Sequence, residues 1–199
     1  TTPIQTTPTA ENLTGGTYVV TVTDSKGCSV TATQVLSQPD SIVVTANATA
    51  ATCFNSATGI VIASVSGGLA PYVYELNGVT QANDTFTGLL PGNYFLVVTD
   101  LNGCDGRTNF TINAPSQLSV NVSSAQTVIL TGMQTQLIAN AVSDSAIVNY
   151  FWTPDSLFDY SICGNPTNCP NPYAAPRVTT TFTVTAVNSA GCSASDTIT

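Results

Sequence analysis

Six cysteines and eleven carboxylates are the side chains with chemistry to offer in this 199-residue chain; it contains no histidine. Without histidine no Ser–His or Cys–His nucleophile pair can form. Two carboxylates flanking a cleft could still hydrolyse a glycoside, but nothing in their spacing marks such a cleft, and the chain is read as non-catalytic. An isopeptide cross-link needs a buried lysine, and Lys26 lies in a turn sequence, Asp24-Ser25-Lys26-Gly27. The cysteines, Cys28, Cys53, Cys104, Cys163, Cys169 and Cys192, show no paired CxxC spacing. Zinc is therefore a poor explanation for them, and disulfides formed in an oxidising compartment a better one.

Position suggests the pairing. Cys53 precedes the first core run of the central segment and Cys104 follows its last turn, so a Cys53–Cys104 clamp is expected. Cys163 and Cys169 share a loop and are expected to bond, with Cys169–Cys192 as the competing assignment. Cys28 and Cys192 are then left unpaired. Asp24 and Asp100 sit where a carboxylate caps the N–H groups of a tight turn. Asp100, Asn102 and Asp105 offer oxygens to calcium, but calcium needs six to eight and no DxDxD loop is present; no metal or other cofactor is expected.

The cysteines belong to a repeat. Residues 13–46 align without a gap on residues 89–122, at an offset of 76. Leu13/Leu89, Gly16/Gly92, Tyr18/Tyr94, Val22/Val98, Asp24/Asp100, Gly27/Gly103, Cys28/Cys104 and Pro39/Pro115 are among the identities. A weaker third copy places Phe182 ten residues before Cys192, as Tyr18 and Tyr94 precede their cysteines. Proline cannot donate to a sheet ladder, so Pro39 and Pro115 mark junctions. Three segments follow: 1–39, which matches only the second half of the repeat and is read as truncated; 40–115, complete; and 116–199, of another subtype. On this reading the polypeptide extends upstream, or another chain supplies the missing strands.

The elements that carry these residues are strands. Gly59–Val65 is a β-branched apolar run. In Pro71–Leu76, Tyr72, Tyr74 and Leu76 fall on one face and Val73 and Glu75 on the other. Asn77-Gly78 is a hairpin signal. Asn93–Thr99 and Arg107–Asn113 flank a turn. Leu118–Ser123, Thr135–Val142, Ile147–Thr153, Thr180–Asn188 and Ser193–Thr199 complete the set. Short, evenly spaced runs with period two predict an all-β fold of tandem Ig-like antiparallel sandwiches. Tyr72, Tyr74, Tyr94, Trp152 and Phe182 are read as core in preference to a sugar-binding platform.

Bulk charge narrows the partners. Three basic residues (Lys26, Arg107, Arg177) against eleven acidic ones give a net charge of −8. That excludes phosphate neutralisation of nucleic acid and attraction to an anionic membrane. No stretch approaches the roughly 20 apolar residues of a spanning helix, and TTPIQTTPTAENL at the start is not a signal peptide.

Residues 40–115 contain Cys53-Phe54-Asn55, Ser66-Gly67-Gly68 with Pro71-Tyr72, Leu90-Pro91-Gly92-Asn93-Tyr94 and Val98-Thr99-Asp100-Leu101-Asn102-Gly103-Cys104. On these motifs the segment resembles the SprB-type repeat of Bacteroidetes cell-surface adhesins. Residues 116–199 are similar to the PKD-like, Ig-type domains of the same proteins, through Trp152-Thr153-Pro154, Cys169-Pro170-Asn171-Pro172 and Thr179–Val184; the insertion around Cys163 departs from their usual length. The resemblance implies type IX secretion, an extracellular place on the bacterial surface, and adhesion associated with gliding. It also implies a C-terminal sorting domain beyond Thr199, neighbouring modules of the same polypeptide as partners, and O-glycans at Asp-Ser/Thr motifs. The candidate acceptors are Ser41, Ser145, Ser156 and Thr197, with Thr85 a looser match. Homo-oligomers or filaments built by strand exchange, surface glycans as ligands, and an accessory sugar-binding module of a secreted hydrolase are the competing expectations.

Overall fold

The computed structural model describes residues 5–199, so residues 1–4 of the first segment lie outside it. Among the described residues, sixteen strands fall into five antiparallel sheets, with two 3-10 turns at Asp155–Leu157 and Pro166–Asn168. The first sheet is a lone hairpin of β1 (Gly16–Thr23) and β2 (Ser29–Leu36).

The central unit opposes two sheets. One holds β3 (Val43–Thr49), β4 (Gly59–Ser66) and β7 (Thr85–Leu89). The other holds β5 (Val73–Leu76), β6 (Val79–Gln81), β8 (Gly92–Thr99) and β9 (Asp105–Ile112), in the order β6-β5-β8-β9. Successive strand side chains alternate between faces. Val61 and Ala63 of β4, Tyr74 and Leu76 of β5, and Leu96 and Val98 of β8 therefore all point between the sheets. Val44 and Phe86 close the cluster.

The last unit repeats the plan. β10 (Ser119–Ser124), β11 (Thr135–Val142), β14 (Tyr173–Ala174) and β13 (Phe158–Asp159) form one sheet. β12 (Ile147–Thr153), β15 (Phe182–Asn188) and β16 (Ser193–Ile198) form the other. Between them lie Val122, Leu137, Ala139, Tyr150, Trp152, Phe182, Val184 and Ala186. The architecture is that of Ig-like β-sandwiches.

The expected aromatics sit largely in these cores. Trp152 and Phe182 are buried around Phe158, whose ring centroid is 5.3 Å from that of Trp152 and 5.0 Å from that of Phe182. Tyr74 is buried as well. Tyr72 and Tyr94 are half-buried and hydrogen-bonded through their hydroxyls, Tyr72 to the Gly67 carbonyl and Tyr94 to that of Leu90. Tyr94 stacks on Phe110.

Asn77 and Gly78 take positive φ (51° and 82°) in the β5–β6 hairpin, as a type I′ turn requires. β3 and β7 go beyond the runs read from sequence. β3 is mostly exposed and β7 is short and broken by Gly88, so neither carries an apolar alternation long enough to stand out.

The repeat makes an internal control. Leu96 and Val98 are 0% exposed, whereas their equivalents in the lone hairpin, Val20 and Val22, are 52% and 62% exposed. Leu96→Ala is expected to destabilise the central sandwich by about 3 kcal/mol in denaturant unfolding, and Val20→Ala by no more than about 0.5 kcal/mol.

Candidate functional site

The site is the junction between the second and third units, and the turn that places its Cys192 occurs three times in the chain, at Cys28, Cys104 and Cys192. In each copy a side-chain oxygen accepts the N–H of the cysteine four residues on. Asp24 Oδ1 accepts from Cys28 at 2.8 Å, Asp100 Oδ1 from Cys104 at 2.9 Å and Asn188 Oδ1 from Cys192 at 2.9 Å. The backbone closes each turn alike, with Gly27, Gly103 and Gly191 donating to the carbonyl three residues back. Each of these glycines has a φ between 80° and 86°, which disfavours any other residue.

The turn's acidic or amide residue also ties the turn to its neighbour. Asp100 Oδ2 accepts the Leu69 N–H at 3.0 Å, and Asn188 Nδ2 donates to Ser143 Oγ at 2.9 Å. Both side chains are buried. Burial pushes the Asp100 carboxyl up, but N–H bonds from Leu69, Cys104, Asn102 and Gly103 outweigh it and hold the group below its ordinary value. Those same bonds occupy the oxygens that calcium would need. Among the described residues no group of three or more His, Cys, Asp or Glu is placed to hold a metal ion. Asp105 is paired with Arg107 instead.

At the opposite end of the central sandwich, Cys53 sits in the β3–β4 loop. Ala51 donates to the Asn113 carbonyl at 2.8 Å, pinning that loop beside the exit from β9. Ser56 and Thr58 hydroxyls satisfy the N–H groups of Cys53 and Thr52. Across the connector 113–118, Ser116 donates to Asp144 in the β11–β12 turn, which lies against the Cys192 turn through Ser189 N–H to the Ala146 carbonyl. Cys53 and Cys192 thereby meet, and they are bonded, with Cα atoms 5.7 Å apart. The Cys192 sulfur lies 3.4 Å from the Thr52 carbonyl oxygen.

This corrects the expected Cys53–Cys104 clamp and the expected idle Cys192. Cys104 is free and exposed, as is Cys28. The reason is strand length. Cys53 lies by the end of β9 and Cys104 by its start; eight extended residues span about 26 Å, whereas a disulfide bridges Cα atoms no more than about 7 Å apart. The central sandwich closes on its apolar core without the clamp.

Cys163 and Cys169 are bonded, Cα atoms 5.3 Å apart, in the loop that carries the Pro166–Asn168 turn. The Cys169 carbonyl accepts the Trp152 indole N–H at 2.9 Å, so this bridge sits directly on the third unit's core. Of the candidate glycan acceptors, Ser41, Ser156 and Thr197 are exposed and Ser145 and Thr85 half-buried. Thr85 donates its hydroxyl to Asp84.

No protein-family model matches the chain, and no curated protein matches it. Among solved structures, it is similar to the N-terminal eight Ig domains of Down syndrome cell adhesion molecule, at 14% identity and a TM-score of 0.38. That match covers 92% of this chain and 30% of the other, so the chain spans under a third of that structure's length. An amphioxus IgVJ-C2 molecule is 15% identical, with a TM-score of 0.32 over 92% of this chain and 95% of its own. A complex of Dpr2 Ig1-Ig2 with DIP-Theta Ig1-Ig3 is 11% identical, with a TM-score of 0.29 over 92% of this chain and 72% of that one.

A depressed carboxyl contributes stability above its unfolded value of about 3.9, and that contribution is lost as pH falls through and below it. Asp196, held down by the backbone N–H groups of Val122 and Thr197, adds in the same direction. Calorimetric midpoints are therefore expected to be flat from pH 7 to about 5 and to drop below about pH 4. The deficit of Asp100→Asn relative to the parent chain should narrow over that acid range.

Proposed function

We propose that this chain is a non-catalytic adhesive or stalk segment of a secreted bacterial surface protein, built from tandem Ig-like modules divided at 1–39, 40–115 and 116–199. The observation that carries the reading is the Cys53–Cys192 bond, which joins two separate sandwiches across a six-residue connector (113–118). A covalent tie between units serves a protein whose task depends on how its modules are held, and an extracellular, oxidising location favours it. The resemblance of 40–115 to SprB-type repeats supports a bacterial surface adhesin exported by the type IX route. The exposed Ser41, Ser156 and Thr197 are the favoured O-glycan acceptors of the set, for which intact mass of native protein should show whole-hexose increments.

The second reading, a subunit of an extracellular filament, is favoured by one observation: the β1–β2 hairpin shows both faces to solvent. Scattering separates the two. A stalk segment stays monomeric and extended across concentrations, and Cys53→Ser should broaden its distance distribution while leaving both sandwiches folded. A filament subunit grows in mass with concentration. Binding to a surface-glycan array tests the adhesive tip itself.

A further inference from the structure

We infer that the β1–β2 hairpin and Cys104 together form a receiving surface for a β segment with the residue pattern of 40–91, lying upstream in the same polypeptide, and that this segment's equivalent of Cys53 bonds to Cys104. The inference rests on the tandem-module reading, but its test reads covalent pairing alone, so a failure to find adhesion leaves it untouched.

Three observations converge. The first is the exposed face. The hairpin has the register of β8–β9, Gly16↔Leu36 and Thr23↔Ser29 matching Gly92↔Ile112 and Thr99↔Asp105. In the central unit that face is covered by Val44, Val61, Ala63 and Phe86 of β3, β4 and β7. The same face of the hairpin is bordered among the described residues only by the irregular segment that includes Gln5, Pro8 and Ala10, which leaves Val20 and Val22 52% and 62% exposed, and what fits it is the apolar pattern of those three strands.

The second is continuity. Asn12 has φ 57° where its equivalent Gly88 has φ 72°. The chain thus enters β1 through the same left-handed residue by which β7 hands over to β8. This places a segment leading directly into β1 in the position that β7 takes before β8, which favours the same polypeptide as the source of the occupant.

The third is the cysteine. Cys104 occupies the turn position at which Cys192 is bonded. β2 ends at Leu36 and β3 begins at Val43; β9 ends at Ile112 and β10 begins at Ser119. The two connectors are equally long. On the far side of each, an equivalent residue anchors the turns around the cysteine: the Asp40 carbonyl accepts from Gly68, and Ser116 donates to Asp144. Gly67 and Gly106 let the first connector pack this closely, since a Cβ on Gly67 would strike the Ser41 carbonyl and one on Gly106 would lie 2.5 Å from Ile42 Cγ2. A β3–β4-type loop seated over the hairpin would therefore meet Cys104 as Cys53 meets Cys192. In that step two thiols give up two electrons and two protons to a disulfide oxidant of the export compartment, which leaves as a dithiol.

The test places a copy of residues 40–91 directly before Gly16, replacing residues 1–15 and keeping the rest of the chain. Non-reducing peptide mapping should then find the inserted copy of Cys53 bonded to Cys104, and the free thiols should fall from the present two, Cys28 and Cys104, to Cys28 alone. A bond from the inserted cysteine to Cys28, or a folded product with all three thiols free, overturns the proposal. Should the extended chain fail to fold, Cys192→Ser in the original chain releases Cys53 while Cys104 stays free at the far pole. Under copper–phenanthroline oxidation Cys53 and Cys104 are expected to stay unlinked within a monomer; a Cys53–Cys104 peptide overturns the intermodule rule. Concentration-dependent dimers of the unmodified chain that dissociate on Val20→Asp overturn the choice of occupant.

Discussion

An eight-residue strand is longer than any disulfide can reach, and this one constraint sorts the cysteines. Each hairpin of the β8–β9 type carries its cysteine at the end where the chain enters the module. The β3–β4 loop carries Cys53 at the end where it leaves. Cys53 and Cys104 therefore sit at opposite poles of the central sandwich, and Cys53 faces the third unit rather than a partner in its own. The Cys53–Cys192 bond follows from that polarity together with a connector short enough to bring the poles together.

The polarity is held by polar groups, in a chain with very little charge. The Asp100 carboxylate gathers N–H groups from two loops, and Asn188 does the same work with an amide. The buried acceptor, bonded on both sides, holds the turn against its neighbouring loop and so orients the cysteine it presents. In the hairpin the equivalent Asp24 keeps its bonds to Lys26 and Cys28 but is exposed, having no neighbouring loop to recruit.

Much of this was legible in the residues. The alternation in β5, the Asn77-Gly78 turn and the burial of Trp152 and Phe182 follow from period and turn chemistry alone. The 76-residue repeat predicted that Asp24 and Asp100 occupy one kind of turn, and they do. What sequence did not yield was the pairing of Cys53. The order of cysteines along the chain says which loop each belongs to, but the pole of a loop depends on how many strands are crossed before it. β3 and β7 carry too few inward apolar residues to stand out as strands in the sequence, so the pole at which Cys53 sits is not legible there.

The bond's placement also decides which peptide segments feel a pull on the two ends of residues 40–199. Cys53 follows the first strand of the second unit, and Cys192 precedes the last strand of the third. Tension applied along the chain runs down β3, through the sulfurs and out along β16. Residues 54–191, with most of both hydrophobic cores, hang beside that route as a slack loop. A pull can peel off these two outer ribbons, but it reaches the loop between the sulfurs only once the disulfide is cleaved.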